Sequence, residues 1–393
     1  MKSNFTYFMP TEIVFGPGKL EKLASLTLPG KKALIVIGSG NSMRKHGYLD
    51  RVIDYLKQNS VEYAVYDKIL PNPISDHVAE GAKIAKENGC DFIIGLGGGS
   101  TIDSSKAIAV MAKNPGDYWD YVSGGSGKGM EVKNGALPIV AIPTTAGTGT
   151  ESDPWAVITK TETNEKIGFG CRYTYPTLSI VDPELMVSIP PKFTAYQGMD
   201  AFFHSVEGYL ANVNQPASDV LALQSISLIT EYLPKAVEDG SNIEARTALA
   251  WASTAAGIVE SLSSCISHHS MEHAISAFHP DVPHGAGLIM LSVSYFSFMA
   301  SKVPDRFIDI AKTMGEEIKG STKQEQAQCF ITGLKKLIKN IGMEDLNLSN
   351  FGVRENEIEK LSKNAIDTMG SLFEVDPYKL SLKEVMSIYK NCF

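Results

Sequence analysis

Regular alternation of strand-like and helix-like segments is the feature of this sequence that most restricts its fold. Short runs rich in Ile, Val and Leu, such as KALIVIG, DFIIGLG and PIVAIP, end in loops rich in glycine or threonine. Between them lie segments whose apolar residues are spaced three and four apart, as in amphipathic helices. Strand, helix and strand in succession predict a parallel sheet covered by helices on both faces. We therefore expect the first half of the chain to form an α/β domain.

The pattern changes near Pro190 and Pro191. Beyond them strand-like runs nearly vanish, and long helical patterns such as ASDVLALQSISLITEYLPKAVED and ARTALAWASTAAGIVES follow. A chain of 393 residues with 44% apolar residues is large enough to form two cores. We predict a parallel-sheet α/β domain at residues 1–189 and an all-helical domain at residues 190–393.

Charge and cysteine content limit the partners and the compartment. A formal net charge of -8 argues against general affinity for nucleic acid or for an anionic membrane surface. No segment has the apolar core of a signal peptide or the roughly 18 to 20 apolar residues of a membrane span. The five cysteines are scattered without CxxC spacing, so no disulfide framework is expected. We expect a cytoplasmic protein.

A glycine-rich loop joins one predicted strand to the next helix. The stretch FIIGLGGGSTIDSSKA passes through Gly98 and Gly99 into a helix that begins near Ser100. Glycines allow the backbone to approach a pyrophosphate, and the free N–H groups at a helix start favour an anion. The alternative is a tight strand-to-helix turn in which Ser100 and Asp103 form a capping box.

A second loop has a similar position after a strand. In PIVAIPTTAGTGTES, the hydroxyl groups of Thr144, Thr145 and Thr148 stand beside flexible glycines. Two such loops after parallel strands suit a dinucleotide that lies across the carboxyl edge of the sheet.

The end of the first predicted strand bears on the choice of dinucleotide. The stretch GSGNSMRKHG lacks the Asp or Glu that enzymes preferring NAD use for the ribose 2'-hydroxyl. Gly38, Ser39 and Ser42 leave room and hydrogen-bonding groups, while Arg44 and Lys45 add positive charge. We therefore predict a preference for NADP(H) over NAD(H). The alternative is a solvated turn with two surface cations.

Histidines and one aspartate have the spacing of a metal site. GMDAFFHSVEGYL places Asp200 and His204 four apart, on one face of a predicted helix. SHHSMEHAISAFHPDVPHG holds five of the eight histidines, among them His269, His273 and His284. A carboxylate with several imidazoles suits Fe(II) or Zn(II). The alternatives are a surface pair and buried structural histidines.

Taken together, these motifs resemble the iron-containing (group III) alcohol dehydrogenases. The segments PTEIVFGPG, GLGGGSTIDSSKA, PTTAGTGTE, GMDAFFHSVEGYL, HSMEHAISAF and PHGAG match the family along nearly the whole chain. The resemblance implies a Rossmann-like domain, a helical domain, and a cleft between them for nicotinamide cofactor and metal. It further implies the NADPH-linked butanol dehydrogenase-like branch, a small alcohol or aldehyde as substrate, and a homo-oligomer.

The resemblance also assigns roles to individual residues. It implies Asp200, His204, His269 and His284 as ligands of Fe(II), or of Zn(II) in its place. It places His273 near the nicotinamide, with a proton-relay role and a structural role as alternatives. The cofactor positions that it implies, besides Gly38, Ser39 and Ser42 above, are Asn72, Gly98, Gly99, Ser100, Asp103, Thr144, Thr145, Thr148, Lys166 and Leu185.

The predicted function is hydride transfer between NAD(P)H and a small primary alcohol or aldehyde. A Lewis-acid metal would activate the alcohol, or polarise the aldehyde in the reverse direction. The alternatives are a dehydroquinate synthase-like metal lyase, a metal hydrolase and a non-catalytic nucleotide-binding protein. A lyase of that type needs a cluster of cations that the metal motifs lack, and a hydrolase leaves the glycine and threonine loops unexplained.

Overall fold

The computed structural model describes residues 4–393, so the first three residues of the predicted α/β domain lie outside it. The chain divides into two compact units: Met9–Ile189, and Pro190–Phe393 together with residues 4–8. Residues 4–8 therefore belong to the helical unit, which corrects their predicted place in the α/β domain. The side-chain amide of Gln215 donates a hydrogen bond to the carbonyl of Thr6 (3.2 Å), which ties this segment to the helical unit.

The α/β unit contains a six-stranded parallel sheet and a separate antiparallel hairpin, β6–β7. The strands in chain order are β1 (Glu12–Phe15), β2 (Lys32–Gly38), β3 (Glu62–Ile69), β4 (Phe92–Gly97), β5 (Ile139–Pro143), β6 (Ala156–Lys160), β7 (Glu165–Phe169) and β8 (Leu178–Val181). Across the sheet the order is β1-β8-β5-β4-β2-β3, and every neighbouring pair is parallel. The predicted parallel sheet is confirmed.

Helices cover the sheet because their apolar residues recur on one side. They are α1 (Ser42–Lys45), α2 (Tyr48–Gln58), α3 (Ser75–Glu87) and α4 (Gly99–Lys113). In α2, Leu49, Val52 and Leu56 are buried at helical spacing and pack in one core with the inward side chains of β2 and β4. Helix α4 is buried from Thr101 to Met111.

The strand order changes direction at β2, because β3 lies on one side of it and β4 on the other. In open α/β sheets such a switch point leaves a crevice at the carboxyl ends of the two strands, where nucleotides bind. Gly38 ends β2 and Gly97 ends β4. The predicted cofactor loops after β2 and after β4 therefore begin at the same crevice.

The second unit is entirely helical over the residues described. Its helices are α5 (Pro191–Leu210), α6 (Pro216–Glu238), α7 (Ile243–Leu262), α8 (Ser267–Phe278), α9 (His284–Lys302), α10 (Pro304–Thr313), α11 (Lys323–Asn340), α12 (Ile358–Glu374) and α13 (Leu382–Lys390). Helices α5 and α8 are buried almost all round, which places them at the centre of this unit. Within residues 4–393 no single helix combines the length and apolarity of a membrane span; α7 and α8, bent by 107°, meet that test only as a pair.

Candidate functional site

Helix α5 supplies the first two predicted metal ligands. Asp200 and His204 are both buried and lie one helical turn apart. Residues four apart share a helix face, so the carboxylate and the imidazole stand side by side. The distance from Asp200 Oδ1 to His204 Nε2 is 3.8 Å.

Helices α8 and α9 bring two further imidazoles to the same oxygen. His269 Nε2 lies 3.6 Å and His284 Nε2 3.4 Å from Asp200 Oδ1. In a tetrahedral site with metal–ligand bonds of about 2.0–2.1 Å, neighbouring donor atoms are about 3.4 Å apart. The structure therefore brings the three imidazoles of the predicted ligands to one carboxylate oxygen. Asp200, His269 and His284 form one group whose ligand atoms lie within 4.8 Å of one another, and His204 lies in a second such group with His269.

Buried polar atoms at this point fit a divalent cation. Asp200 Oδ1 and His269 Nε2 are buried and have no hydrogen-bond partner among the described residues. Such atoms are costly to leave unpaired. Although burial acts to raise the pKa of Asp200, the imidazoles of His204 and His284 hold that pKa well below its usual value. Asp200 is therefore ionised, as a metal ligand must be.

A fully buried carboxylate, Glu207, orients one of these imidazoles. Glu207 Oε1 lies 2.7 Å from the Nδ1 atoms of both His269 and His268, and Glu207 Oε2 accepts the backbone N–H of Ile266 at 2.9 Å. Burial acts to raise the pKa of Glu207, but the two imidazoles lower it to about 2. With Nδ1 of His269 directed at a carboxylate, its Nε2 is left to face Asp200.

Glu272 occupies the corresponding position behind a second imidazole. It is fully buried on α8, and its Oε2 pairs with Nδ1 of His284. Neither Glu207 nor Glu272 was predicted from the sequence to be functional. The signal was present: HSVE and HSME each place a glutamate three residues after a predicted ligand, one helical turn along the chain.

Two further side chains lie beside His204. Glu260 Oε2 is 3.7 Å from His204 Nε2. The thiol of Cys265 and one nitrogen each of His204 and His269 lie within 4.8 Å of one another. Burial raises the pKa of Cys265 well above its usual value, which favours the neutral thiol.

His273 lies next to the four predicted ligands. Its ring centre is 5.3 Å from that of His284 and 6.3 Å from that of His269. Its Nδ1 contacts the sulfur of Met369 at 2.8 Å, where α12 departs from helical geometry (φ -126°, ψ 41°). His279 lies further along and pairs with Glu357 at 3.1 Å.

In the α/β unit, the two predicted phosphate loops pack against each other. Thr144 donates its backbone N–H to the carbonyl of Gly97 at 2.9 Å. A Cβ atom at Gly98 would lie 3.0 Å from the Thr145 methyl group, and one at Gly99 would lie 2.5 Å from that of Thr148. The glycines therefore allow the close approach of the loops after β4 and β5.

The capping-box alternative for Ser100 and Asp103 is wrong. Helix α4 has Gly98 as its N-cap, without a side-chain hydrogen bond. Ser100 Oγ instead donates to the carbonyl of Pro71. Asp103 accepts from Thr150 Oγ1 at 2.6 Å and from the backbone N–H of Val157 at 3.0 Å, so its carboxylate joins α4 to β6.

The remaining predicted cofactor residues fall into two groups. Lys166, buried on β7, directs its Nζ toward Asn72 Oδ1 at 3.5 Å, so these two residues are brought together. Leu185 is fully buried in the hydrophobic core of the sheet, where its side chain has a packing role.

The loop after β2 carries the residues expected to choose the dinucleotide. Ser39 and Ser42 are exposed, and the backbone N–H of Ser39 donates to the carbonyl of Ile69 at 2.8 Å. Arg44 forms an ion pair with Asp67 at 2.7 Å. The positive charge expected of Arg44 is thus partly compensated by an acid on β3.

Comparison with known proteins identifies the family of this chain. Residues 10–183 match the family model for iron-containing alcohol dehydrogenase, and residues 194–393 match the C-terminal model of the same family. A crystal structure of an archaeal halo-thermophilic alcohol dehydrogenase from a Red Sea brine pool superposes with a TM-score of 0.95, at 36% identity and over 100% of both chains.

Two curated relatives cover almost the same length. The chain is 34% identical to an NAD-dependent methanol dehydrogenase of Bacillus methanolicus, over 98% of this chain and 99% of that protein. It is 33% identical to an NADPH-dependent butanol dehydrogenase of Clostridium saccharobutylicum, over 98% and 97%. The chain belongs to the iron-containing alcohol dehydrogenase family and is an oxidoreductase of the alcohol dehydrogenase class.

Proposed function

We propose that this enzyme interconverts small primary alcohols and aldehydes, using one divalent metal held by Asp200, His204, His269 and His284. The convergence of three imidazole Nε2 atoms on a buried carboxylate oxygen, at 3.4 to 3.8 Å, carries this proposal. A cation bound there would supply Lewis-acid polarisation of the substrate oxygen. The mixed nitrogen and oxygen donors accept Fe(II) and Zn(II) alike. We propose Fe(II) because the family is iron-containing.

The charge, orientation and burial of the four proposed ligands suit metal binding. Asp200 contributes the negative charge, and its low pKa keeps that charge at neutral pH. Glu207 holds His269 from behind, so the nitrogen that faces Asp200 has a fixed orientation. The burial of Asp200, His204 and His269 excludes bulk water from these donors, which strengthens electrostatic interactions with a developing alkoxide.

We further propose that His273 moves the proton that accompanies hydride transfer. Its ring centre lies 5.3 Å from that of His284 and 6.3 Å from that of His269, beside the proposed metal position. The neighbouring His269 and His284 each have a carboxylate at Nδ1. We assign these two imidazoles to metal binding, and we assign proton exchange to His273 because an imidazole next to the metal position can act as a general acid or base.

We propose that the dinucleotide binds along the loops after β2, β4 and β5, with NADP(H) preferred. The nicotinamide ring supplies the hydride-accepting or hydride-donating carbon. Gly98 and Gly99 are half-buried at the start of α4, where the free N–H groups of a helix favour phosphate. Ser39 stands where an acid would select the free ribose hydroxyl, and a serine tolerates a 2'-phosphate.

The test is an activity assay on protein purified without oxygen. We expect oxidation of NADPH with butyraldehyde, loss of activity after chelation, and recovery on addition of Fe(II) but not of Mg²⁺. A lower kcat/KM with NADH than with NADPH is expected. Metal-free protein that works at the full rate, or metal-loaded protein inert toward alcohols and aldehydes with both cofactors, would contradict the proposal. The lyase and hydrolase alternatives are not favoured by the family to which the chain belongs.

A further inference from the structure

Among the four proposed ligands, His284 is the one whose side chain is most exposed. Its side chain retains 24% of its accessible area, against 4% to 7% for His269, His204 and Asp200. It is also the first residue of α9, so no helical turn of α9 precedes it. Its ring therefore depends more than the others on a specific partner for its orientation.

Glu272 is that partner. Its carboxylate pairs with Nδ1 of His284, while Nε2 of the same ring lies 3.4 Å from Asp200 Oδ1. The carboxylate and the proposed metal position thus lie at opposite ends of one imidazole. Glu272 itself is fully buried on α8.

Glycines at the start of α9 leave space for this carboxylate. A Cβ atom at Gly287 would lie 2.7 Å from Glu272 Cγ and 2.8 Å from its Oε1, which is closer than side-chain atoms can approach. At Gly285 a Cβ would lie 2.2 Å from the backbone carbonyl oxygen of Tyr196. The two glycines of PHGAG therefore allow α9 to pack closely against both α5 and α8.

We propose that Glu272 is a positioning residue for the metal centre, which fixes the tautomer and the ring orientation of His284. This inference rests on the proposed metal site. A carboxylate at Nδ1 holds the proton there and leaves Nε2 as the donor, and it also makes that donor more basic. Glu207 gives His269 the same support, but it shares one oxygen between two imidazoles. Glu272 joins α8 to the ligand on α9.

The test measures metal affinity directly, by competition between the protein and a chromogenic chelator for Co(II). In Glu272→Ala the affinity should fall by about 10- to 100-fold, the range found when such partners are removed. In Glu272→Gln the loss should be smaller, because an amide oxygen still accepts the Nδ1 proton but carries no charge. The visible spectrum of bound Co(II) should change in both variants.

Ser276→Ala is the matched control. Ser276 is buried on α8, one turn beyond Glu272, and its hydroxyl donates to the backbone carbonyl of Glu272 at 3.4 Å. This variant should bind Co(II) as the wild type does. Circular dichroism of the metal-free proteins shows whether each variant folds.

The outcomes separate this inference from the proposed function. Wild-type protein that binds no Co(II), Fe(II) or Zn(II) would overturn the proposed function. Wild-type protein that binds metal while folded Glu272→Ala binds it equally well would overturn the role of Glu272 alone. If Glu272→Ala does not fold, wild-type affinity and an unchanged Co(II) spectrum in Glu272→Gln would overturn it.

Discussion

Ser39 directly follows β2 and is exposed at the carboxyl edge of the sheet. Its backbone is fixed by the hydrogen bond to Ile69, so a longer acidic side chain at this position would project from a defined point. The nearby Arg44 is already paired with Asp67. The residue at position 39 is therefore expected to decide between a 2'-phosphate and a free hydroxyl.

Replacing Ser39 with Asp should reverse the proposed preference for NADPH. A carboxylate there repels the 2'-phosphate and accepts the 2'-hydroxyl of NADH. We expect kcat/KM for NADPH to fall at least about tenfold, with that for NADH unchanged or higher, because placing like charges together costs several kcal/mol and about 1.4 kcal/mol is already tenfold. Ser25→Asp, an exposed change in another loop, is the control. An unchanged NADPH:NADH ratio in Ser39→Asp would show that this loop does not select the dinucleotide.

Asp376 gives a pH dependence that can be tested in the helical unit. It is buried and accepts the backbone N–H of Ser267 at 3.0 Å and the Tyr295 hydroxyl at 3.2 Å. Burial raises its pKa from 3.8 to about 7. Between about pH 4 and 7 the folded state therefore holds a proton that the unfolded state has lost. The contribution of Asp376 to stability is complete below pH 3.8 and is lost as the pH rises toward 7.

The variant Asp376→Asn removes this titration and keeps an acceptor oxygen for Ser267. We expect its free energy of unfolding to fall less than that of the wild type as the pH rises from 4 to 7. The difference in slope should reach up to about 1.4 kcal/mol per pH unit, the value for one proton. Urea unfolding at several pH values measures it, with Asp367→Asn on the surface of α12 as control. If the free energy of unfolding changed with pH equally in Asp376→Asn and in the wild type, the raised pKa of Asp376 would be contradicted.

Among the elements, α4 shows how a buried ion pair joins helix to hairpin. Lys106 is fully buried, and its Nζ donates to Thr150 Oγ1 at 2.6 Å, Asp153 Oδ1 at 2.9 Å and the carbonyl of Trp155 at 2.7 Å. Thr150 in turn donates to Asp103. The network holds α4 against the segment that leads into β6.

Replacing Lys106 with Met should destabilise the protein by about 3–5 kcal/mol, because it leaves Asp153 buried without its cation. Chemical denaturation, followed by a spectroscopic signal from the α/β unit, measures this loss of stability. Lys113→Met, at the exposed end of the same helix, should change the stability by less than about 0.5 kcal/mol. Equal stability of the two variants would show that the buried network contributes little.

Periodicity predicted most of the elements but few of the contacts between them. The strands β2, β3, β4, β5 and β8 follow from apolar, β-branched runs that are visible locally. The short hairpin β6–β7 was not predicted, because its pairing joins two five-residue strands of mixed polarity. Asp103 illustrates the limit: its sequence position suits a helix cap or a cofactor contact, whereas its partners Thr150 and Val157 lie 47 and 54 residues away.

In the candidate metal centre, too, local spacing predicts some contacts, whereas others depend on how distant segments pack. Asp200 and His204 share a helix, so their proximity follows from local spacing. The pairing of Glu207 with His269 spans 62 residues and requires the packing of α5 against α8. Each glutamate of HSVE and HSME orients an imidazole from a later helix, so neither role can be found within its own motif.

At the scale of the whole molecule, the proposed cofactor residues and the proposed metal ligands lie in different units of the chain. The loops that suit a dinucleotide lie within Met9–Ile189, and the four proposed metal ligands lie within Pro190–Phe393. Because the ligands come from three helices, a bound metal cross-links α5, α8 and α9. Metal bound only by the folded state stabilises it, so chelation should lower the unfolding temperature of the enzyme.

The most direct test of this account is the metal content of the wild type and of Asp200→Ala, both purified without oxygen and measured by mass spectrometry. All three imidazoles face the Asp200 oxygen, so its loss should remove most of the metal affinity. We predict about one metal ion per wild-type chain and less than about a tenth as much in folded Asp200→Ala, with Asp376→Asn retaining the wild-type amount. Folded Asp200→Ala that retains a full complement of metal would contradict the central claim.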